Sequence, residues 1–164
     1  MNNKNYNIRK WKPADKDAII NITLLAWEPI YQSFKDMMGE ELYQSVFPDW
    51  KQEKREQLSS DLENDKITTF VVEKKNKVIG FINLVIHEKE EKAEIGHNAV
   101  HPDYQGQGIG TSMYEYVLDL AQEKGMDYVE VSTGGDPSHA PARRAYEKAG
   151  FSAKVPSVTY FKKL

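Results

Sequence analysis

Three glycines at alternate positions interrupt this chain in Gln105-Gly106-Gln107-Gly108-Ile109-Gly110-Thr111. An amphipathic helix follows them. Ile109, Met113, Tyr116, Val117, Leu120 and Ala121 recur at the spacing of one helical face. Gly125 closes that helix as the residue that leaves it in a left-handed turn. A strand over 93–100 precedes the loop and another over 128–131 follows the helix, so the region reads as a strand–helix–strand unit. The first N–H groups of a helix have no partner within it and carry the positive end of its dipole. Glycines at this point leave those groups uncovered. The loop therefore reads as an anion site with phosphate as its natural occupant, or as a glycine-rich turn with no ligand. A P-loop needs a Lys directly after the glycines, and none is present. A dinucleotide fingerprint spaces its third glycine one residue later.

The segments before the loop follow in order. Residues 6–10 alternate as a first strand, and Pro13 fits the first turn of a helix. Ala18, Ile19, Ile22 and Leu25 share one face of that helix, which Pro29 is expected to end or kink. A short helix is expected over 40–47. Asp49 with Gln52 three residues on resembles a capping pair, opening a charged helix over 50–64. Strands over 67–73, 78–87 and 93–100, joined by short polar turns around Asn76 and over 88–92, predict an antiparallel meander. After the glycine loop come a helix over 140–149 and a last strand over 157–161.

Composition narrows the function classes. One domain over residues 1–164 is expected. No cysteine is present, so disulfides, thiolate zinc sites and a cysteine nucleophile are excluded together, and no metal is expected. The balance of 22 basic against 25 acidic residues carries no bias towards nucleic acid. The best basic cluster, Lys4, Arg9, Lys10, Lys12 and Lys16, is broken by Asp15 and reads as a solvated surface. Neither an apolar leader nor a run long enough to span a membrane is found, so a cytoplasmic protein is the expectation.

Gln105, Gly108 and Gly110 also meet the pattern Gln/Arg-x-x-Gly-x-Gly/Ala. Val100-His101-Pro102 precedes it. Ala142-Arg143-Arg144-Ala145-Tyr146-Glu147-Lys148-Ala149-Gly150-Phe151 follows. Together these resemble the GNAT superfamily of acetyl-CoA-dependent N-acetyltransferases, most sharply over 93–151. The resemblance implies an α/β fold with a mixed, mostly antiparallel sheet of about six or seven strands flanked by about four helices.

It also implies roles. The strand over 93–100 splays from the strand over 128–133, and the pantetheine arm of acetyl-CoA lies between them. Ala99 and Val100 supply main-chain groups to it, with the Val100 N–H at the thioester oxygen. Gln105, Gly106, Gln107, Gly108, Ile109, Gly110 and Thr111 wrap the pyrophosphate. Ala142 lies nearby, and Arg143 and Arg144 are candidates for the coenzyme's 3′-phosphate, although an exposed Arg on a helix needs no such role. His139 stands where the family often has Asn. Tyr146 falls at the family's general acid, which protonates the departing thiolate. Its other reading is a half-buried packing aromatic. Glu94 falls where several members place a base, and reads equally as a solvated end of the charged hairpin; His97 and Asn98 are the fallback candidates.

The acceptor implied is a small-molecule or peptide amine. The aromatics of the first helices, Trp27, Tyr31 and Trp50 above all, are candidates for holding it, although core packing accounts for any one of them. Without cysteine, a route through an acetyl-cysteine is closed, which favours direct attack by the amine. A silent acyl-CoA-binding module on the same fold is the alternative. Many relatives dimerise, so a homodimer is admitted.

Overall fold

The computed structural model describes residues 5–164. Five strands form one sheet in the order β1-β2-β3-β4-β5. They are β1 (Asn7–Lys10), β2 (Ile67–Lys74), β3 (Lys77–His87), β4 (Lys92–Val100) and β5 (Tyr128–Val131). The first four pair antiparallel, β2 to β4 as the meander the sequence predicts, while β4 and β5 run parallel. Lys75 and Asn76 both take positive φ in the two-residue turn between β2 and β3. That is the backbone sense a tight hairpin needs to match strand twist.

Helices cover both faces, which is why β2 and β3 read as near-continuous apolar runs. On one face Phe70, Val72, Ile82 and Leu84 pack with Ile109, Met113, Val117 and Ala121 of α4 (Ile109–Glu123), and with Tyr146 of α5 (Ala140–Lys148). On the other, Val71 and Phe81 meet Ile19 and Ile22 of α1 (Lys16–Met38), and Leu58 and Leu62 of α3 (Trp50–Glu63). A short α2 (Glu40–Val46) joins α1 to α3. The Asp49 carboxylate accepts from the Gln52 N–H at 3.1 Å and caps α3 as expected. Gly125 has a φ of 74° at the end of α4.

One expectation is narrowed and another corrected. Pro29 does not end α1, which continues to Met38. A proline inside a helix removes the bond that its own N–H would make four residues back and sets its ring against that carbonyl. Here that frees the carbonyl of Leu25. The expected last strand over 157–161 does not form, and the described residues hold five strands rather than six or seven. Val158 and Tyr160 are exposed there, so the alternating apolar side chains find no face to bury.

The basic cluster of the N-terminal region is also not simply solvated. Lys4 lies outside the described residues. Arg9 donates to Asp15 at 2.7 Å and to Glu73 at 2.8 Å, and Asp15 accepts from the Lys12 N–H at 2.7 Å. The carboxylate of Asp15 thereby ties β1 to the entry of α1.

A bulge decides how β4 presents its side chains. Ile82 pairs with Asn98 and Leu84 with Ile95, so Gly96 and His97 together oppose Asn83. An extra residue reverses the alternation of faces. Ala93 and Ile95 pack on the α4 side, whereas Ala99 packs on the α1 and α3 side.

Candidate active site

The pairing of β4 with β5 stops at Ile95 and Val131. Beyond it the two strands part. A cleft of about 950 Å³ opens between residues 96–100 on one edge and Ser132 and Thr133 on the other. The glycine loop, the start of α4 and the inner side of α5 close one end. Trp27 of α1 with Lys54 and Asp61 of α3 close the other. The N–H of His101 donates to the Ile79 carbonyl on β3 at 2.9 Å. Successive residues of a strand point their N–H and C=O groups to opposite edges. Those of Val100 therefore face away from β3, into the wedge. The Gln105 side-chain amide, donating to the Val100 carbonyl at 3.0 Å, agrees with this.

Gly106 and Gly108 have φ of 73° and 78°, and no heavy atom lies within 4 Å of where a Cβ would stand. Glycine is needed there for backbone conformation and not for space. The first hydrogen bond of α4 runs from the Ser112 N–H to the Gly108 carbonyl at 3.0 Å. The amides of Ile109, Gly110 and Thr111 precede it and have no carbonyl one helical turn behind them. Gln107 donates to the Asp103 carbonyl at 3.3 Å, bracing the loop from its far side.

Tyr146 is buried, lines the cleft and lies 4.7 Å, ring to ring, from Tyr114. The Tyr114 hydroxyl donates to Asn98 at 2.8 Å. Burial, with the neighbouring Tyr146 phenol adding to it, holds the Tyr114 hydroxyl well above the ordinary tyrosine range.

At the other end, a relay crosses from the sheet to α3. The Thr69 hydroxyl donates to Asn83 at 2.8 Å, and the Asn83 amide donates to an Asp61 carboxylate oxygen at 2.9 Å. The same oxygen stands 2.7 Å from Nδ1 of His97. Nε2 of His97 is 3.2 Å from the Lys54 ammonium, which lies 5.6 Å from the centre of the Trp27 ring. Burial lowers the pKa of Lys54, while Asp61 and Glu53 oppose the change. Among the described residues no group of three or more His, Asp or Glu stands where it could hold a metal ion, and no helix is long and apolar enough to cross a membrane.

A family model described as the acetyltransferase (GNAT) family matches residues 27–151. The chain belongs to the GNAT family. It is 33% identical over 98 residues to an uncharacterized N-acetyltransferase of Methanocaldococcus jannaschii, covering 57% of this chain and 42% of that one. The chain spans about half the length of the curated relatives it matches, 42% and 56% for two of them. The PaiA N-acetyltransferase of Thermoplasma acidophilum, solved in complex with coenzyme A, superposes with a TM-score of 0.71 at 21% identity. The match covers 93% of this chain and 92% of that one. The ribosomal-protein-S18-alanine N-acetyltransferase of Escherichia coli superposes with a TM-score of 0.67 at 19% identity, covering 92% and 79%. At these identities the two structures establish the fold.

Most of the residues expected from the GNAT resemblance meet in the one cleft. Ala99, Val100, Gln105, Gly106, Gly108, Ile109, Gly110, Thr111, His139, Ala142, Tyr146 and Trp27 line it. Four side chains are placed otherwise. Gln107 braces the loop from outside. Arg143 donates to the carbonyls of Gly134 at 2.6 Å and Asp136 at 2.8 Å, and it is Arg144 that lines the cleft. Tyr31 and Trp50 stack face to face at 4.1 Å in a buried cluster with Tyr43 and Phe47. Glu94 borders the cleft, with its carboxylate 3.3 Å from His87 and 3.7 Å from Lys92. His139 is held by Asp136 at 2.5 Å.

Sequence reasoning missed Lys54, Asp61, Asn83 and Tyr114. Asp61 and Lys54 look like any charges on a solvated helix. Only the face that α3 turns to the sheet distinguishes them.

Proposed function

We propose that this GNAT protein transfers the acetyl group of acetyl-CoA to a primary amine by direct attack, with both substrates bound together. The wedge between β4 and β5, opening onto the amides at the start of α4, is the observation that carries this reading. The residues present fit the coenzyme. A loop with glycine conformations at Gly106 and Gly108 and uncovered amides over 109–111 suits a pyrophosphate. The outward main chain of Val100 suits the pantetheine arm, and His139 and Ala142 lie along its path; the N–H and C=O of Ala99, expected to join it, turn to Phe81 on β3 instead. Arg144 and Lys148 of α5 line the cleft as cations for a further phosphate.

Acetyl-CoA supplies an activated acyl carbon. The protein's own part is orientation and proton transfer. The Val100 N–H stabilises charge that develops on the carbonyl oxygen during attack. Tyr146 donates its phenolic proton to the departing sulfur. Thiol release from acetyl-CoA, followed with spermidine, an aminoglycoside and a peptide beginning in alanine, tests the proposal. Release that depends on one of these amines, with an acetylated product of matching mass, supports it. Tight coenzyme binding with no amine-dependent release on any of them overturns it in favour of a binding module.

A further inference from the structure

The amine must lose a proton before it can attack, because an ammonium has no lone pair. The two ends of β4 offer different groups for that step. Glu94 stands at the hairpin end, where its carboxylate is paired with His87 and Lys92 and is 46% exposed. His97 stands at the bulge, inside the cleft wall, with 26% of its side chain exposed.

We infer that His97, oriented by Asp61, is the group that takes the proton from the acceptor's ammonium. The inference rests on the transfer reading above and deepens it. Asp61 accepts at Nδ1, and its own position is held by the Asn83 amide, which is held in turn by Thr69. A carboxylate there keeps the ring proton on Nδ1 and leaves the lone pair on Nε2. The partner of Nε2 is an alkyl-ammonium, that of Lys54. A link serving only to tie α3 to the sheet would need Nδ1 alone. Here Nε2 also meets a cation, in a pocket whose other wall is the Trp27 ring. The Lys54 ammonium thus marks the spot that a primary amine would occupy on arrival.

The charged groups that meet His97 are Asp61 and Lys54, both on α3. Glu53 acts on Lys54 from the same helix. The neighbours from α1 and β3, Trp27 and Asn83, do not titrate.

The step balances as follows. The arriving ammonium displaces that of Lys54 from Nε2, one of its N–H bonds breaks and that proton goes to Nε2. The free amine bonds to the thioester carbon and the C–S bond breaks. The thiolate takes the proton of Tyr146, which recovers one from the attacking nitrogen through water. His97 then releases its proton to solvent.

Two measurements test this. Nitrogen-15 spectra of the imidazoles in the free wild-type protein should show His97 with its proton on Nδ1 and a bare Nε2. A proton on Nε2 overturns the assignment. With whichever amine the wild type acetylates, His97→Gln should lower kcat by about 10²- to 10⁴-fold and abolish the acid limb of the pH–rate profile. Coenzyme affinity should stay unchanged. His97→Ala should recover in part with added imidazole. Asp61→Asn, a change at a positioning residue, should move that limb and lower kcat less than His97→Gln does. Turnover by both His97 variants within about threefold of wild type, with the same pH profile, overturns the inference and leaves the transfer reading standing. A wild type that binds coenzyme and acetylates no amine overturns both.

Discussion

The Gln105 side chain reaches back 3.0 Å to the carbonyl of Val100, so the loop proposed for the pyrophosphate is tied to the strand proposed for the pantetheine arm. One exposed hydrogen bond therefore sets the distance between two parts of the coenzyme site. Gln105→Ala removes it. Without it the coenzyme must order the loop itself, a cost of up to the net worth of one hydrogen bond, about 1 kcal/mol, so the Kd for coenzyme A should rise by up to about fivefold. Isothermal titration would measure it. Thermal stability should hardly change, because the loop is exposed.

Tyr146 should act on the chemical step and not on binding. Tyr146→Phe keeps the ring against Tyr114 and Phe151 and removes the hydroxyl that would give the proton. The expected result is a kcat lower by about 10²-fold or more, with coenzyme Kd within twofold. Equal turnover at saturating amine would return Tyr146 to a packing role.

Gly108 and Gly80 should fail for different reasons. At Gly108 there is open space but a φ of 78°. Alanine there should cost about 1–2 kcal/mol of backbone strain and weaken coenzyme binding by distorting the start of α4. At Gly80 a Cβ would stand 3.1 Å from the Ala99 carbonyl and 3.3 Å from the Met113 sulfur. Alanine there should push β3, β4 and α4 apart. Its urea midpoint should fall while the loop amides, followed by hydrogen exchange, stay as in wild type.

Asp15 should govern acid stability at the N-terminal edge. The Arg9 hydrogen bond is the largest cause holding its carboxyl below the ordinary aspartate range, against an opposing effect of burial. A group with a depressed folded-state pKa contributes stability that is fully present above its unfolded value and is lost as pH falls through the folded one. Urea midpoints should therefore decline once the pH drops below about 4. Asp15→Asn should be less stable at pH 7 by about 1–3 kcal/mol, and its midpoint should depend less on pH in the acid range.

What could be read without coordinates was local. The start of α4 at Ile109, its exit at Gly125, the cap at Asp49 and the turn at Asn76 each depend on a few adjacent residues. Chain chemistry sets such features within one or two turns. The strand expected over 157–161 had the right alternation and still did not form, because a strand needs an edge and a face and propensity supplies neither. Pro29 failed as a stop signal for a related reason: packing along α1 outweighs one missing hydrogen bond.

By itself the sequence determined the glycine loop, the helix behind it, the meander before it and, through the motifs of residues 93–151, the GNAT family. Tertiary structure alone decided which side chains share the cleft. Asp61 and His97 are separated by 36 residues, and they meet because one extra residue in β4 reverses its alternation and turns His97 towards α3. A bulge opposite Asn83 depends on the pairing of two strands, and the face α3 presents depends on the sheet it covers. Neither is written in any short run of residues.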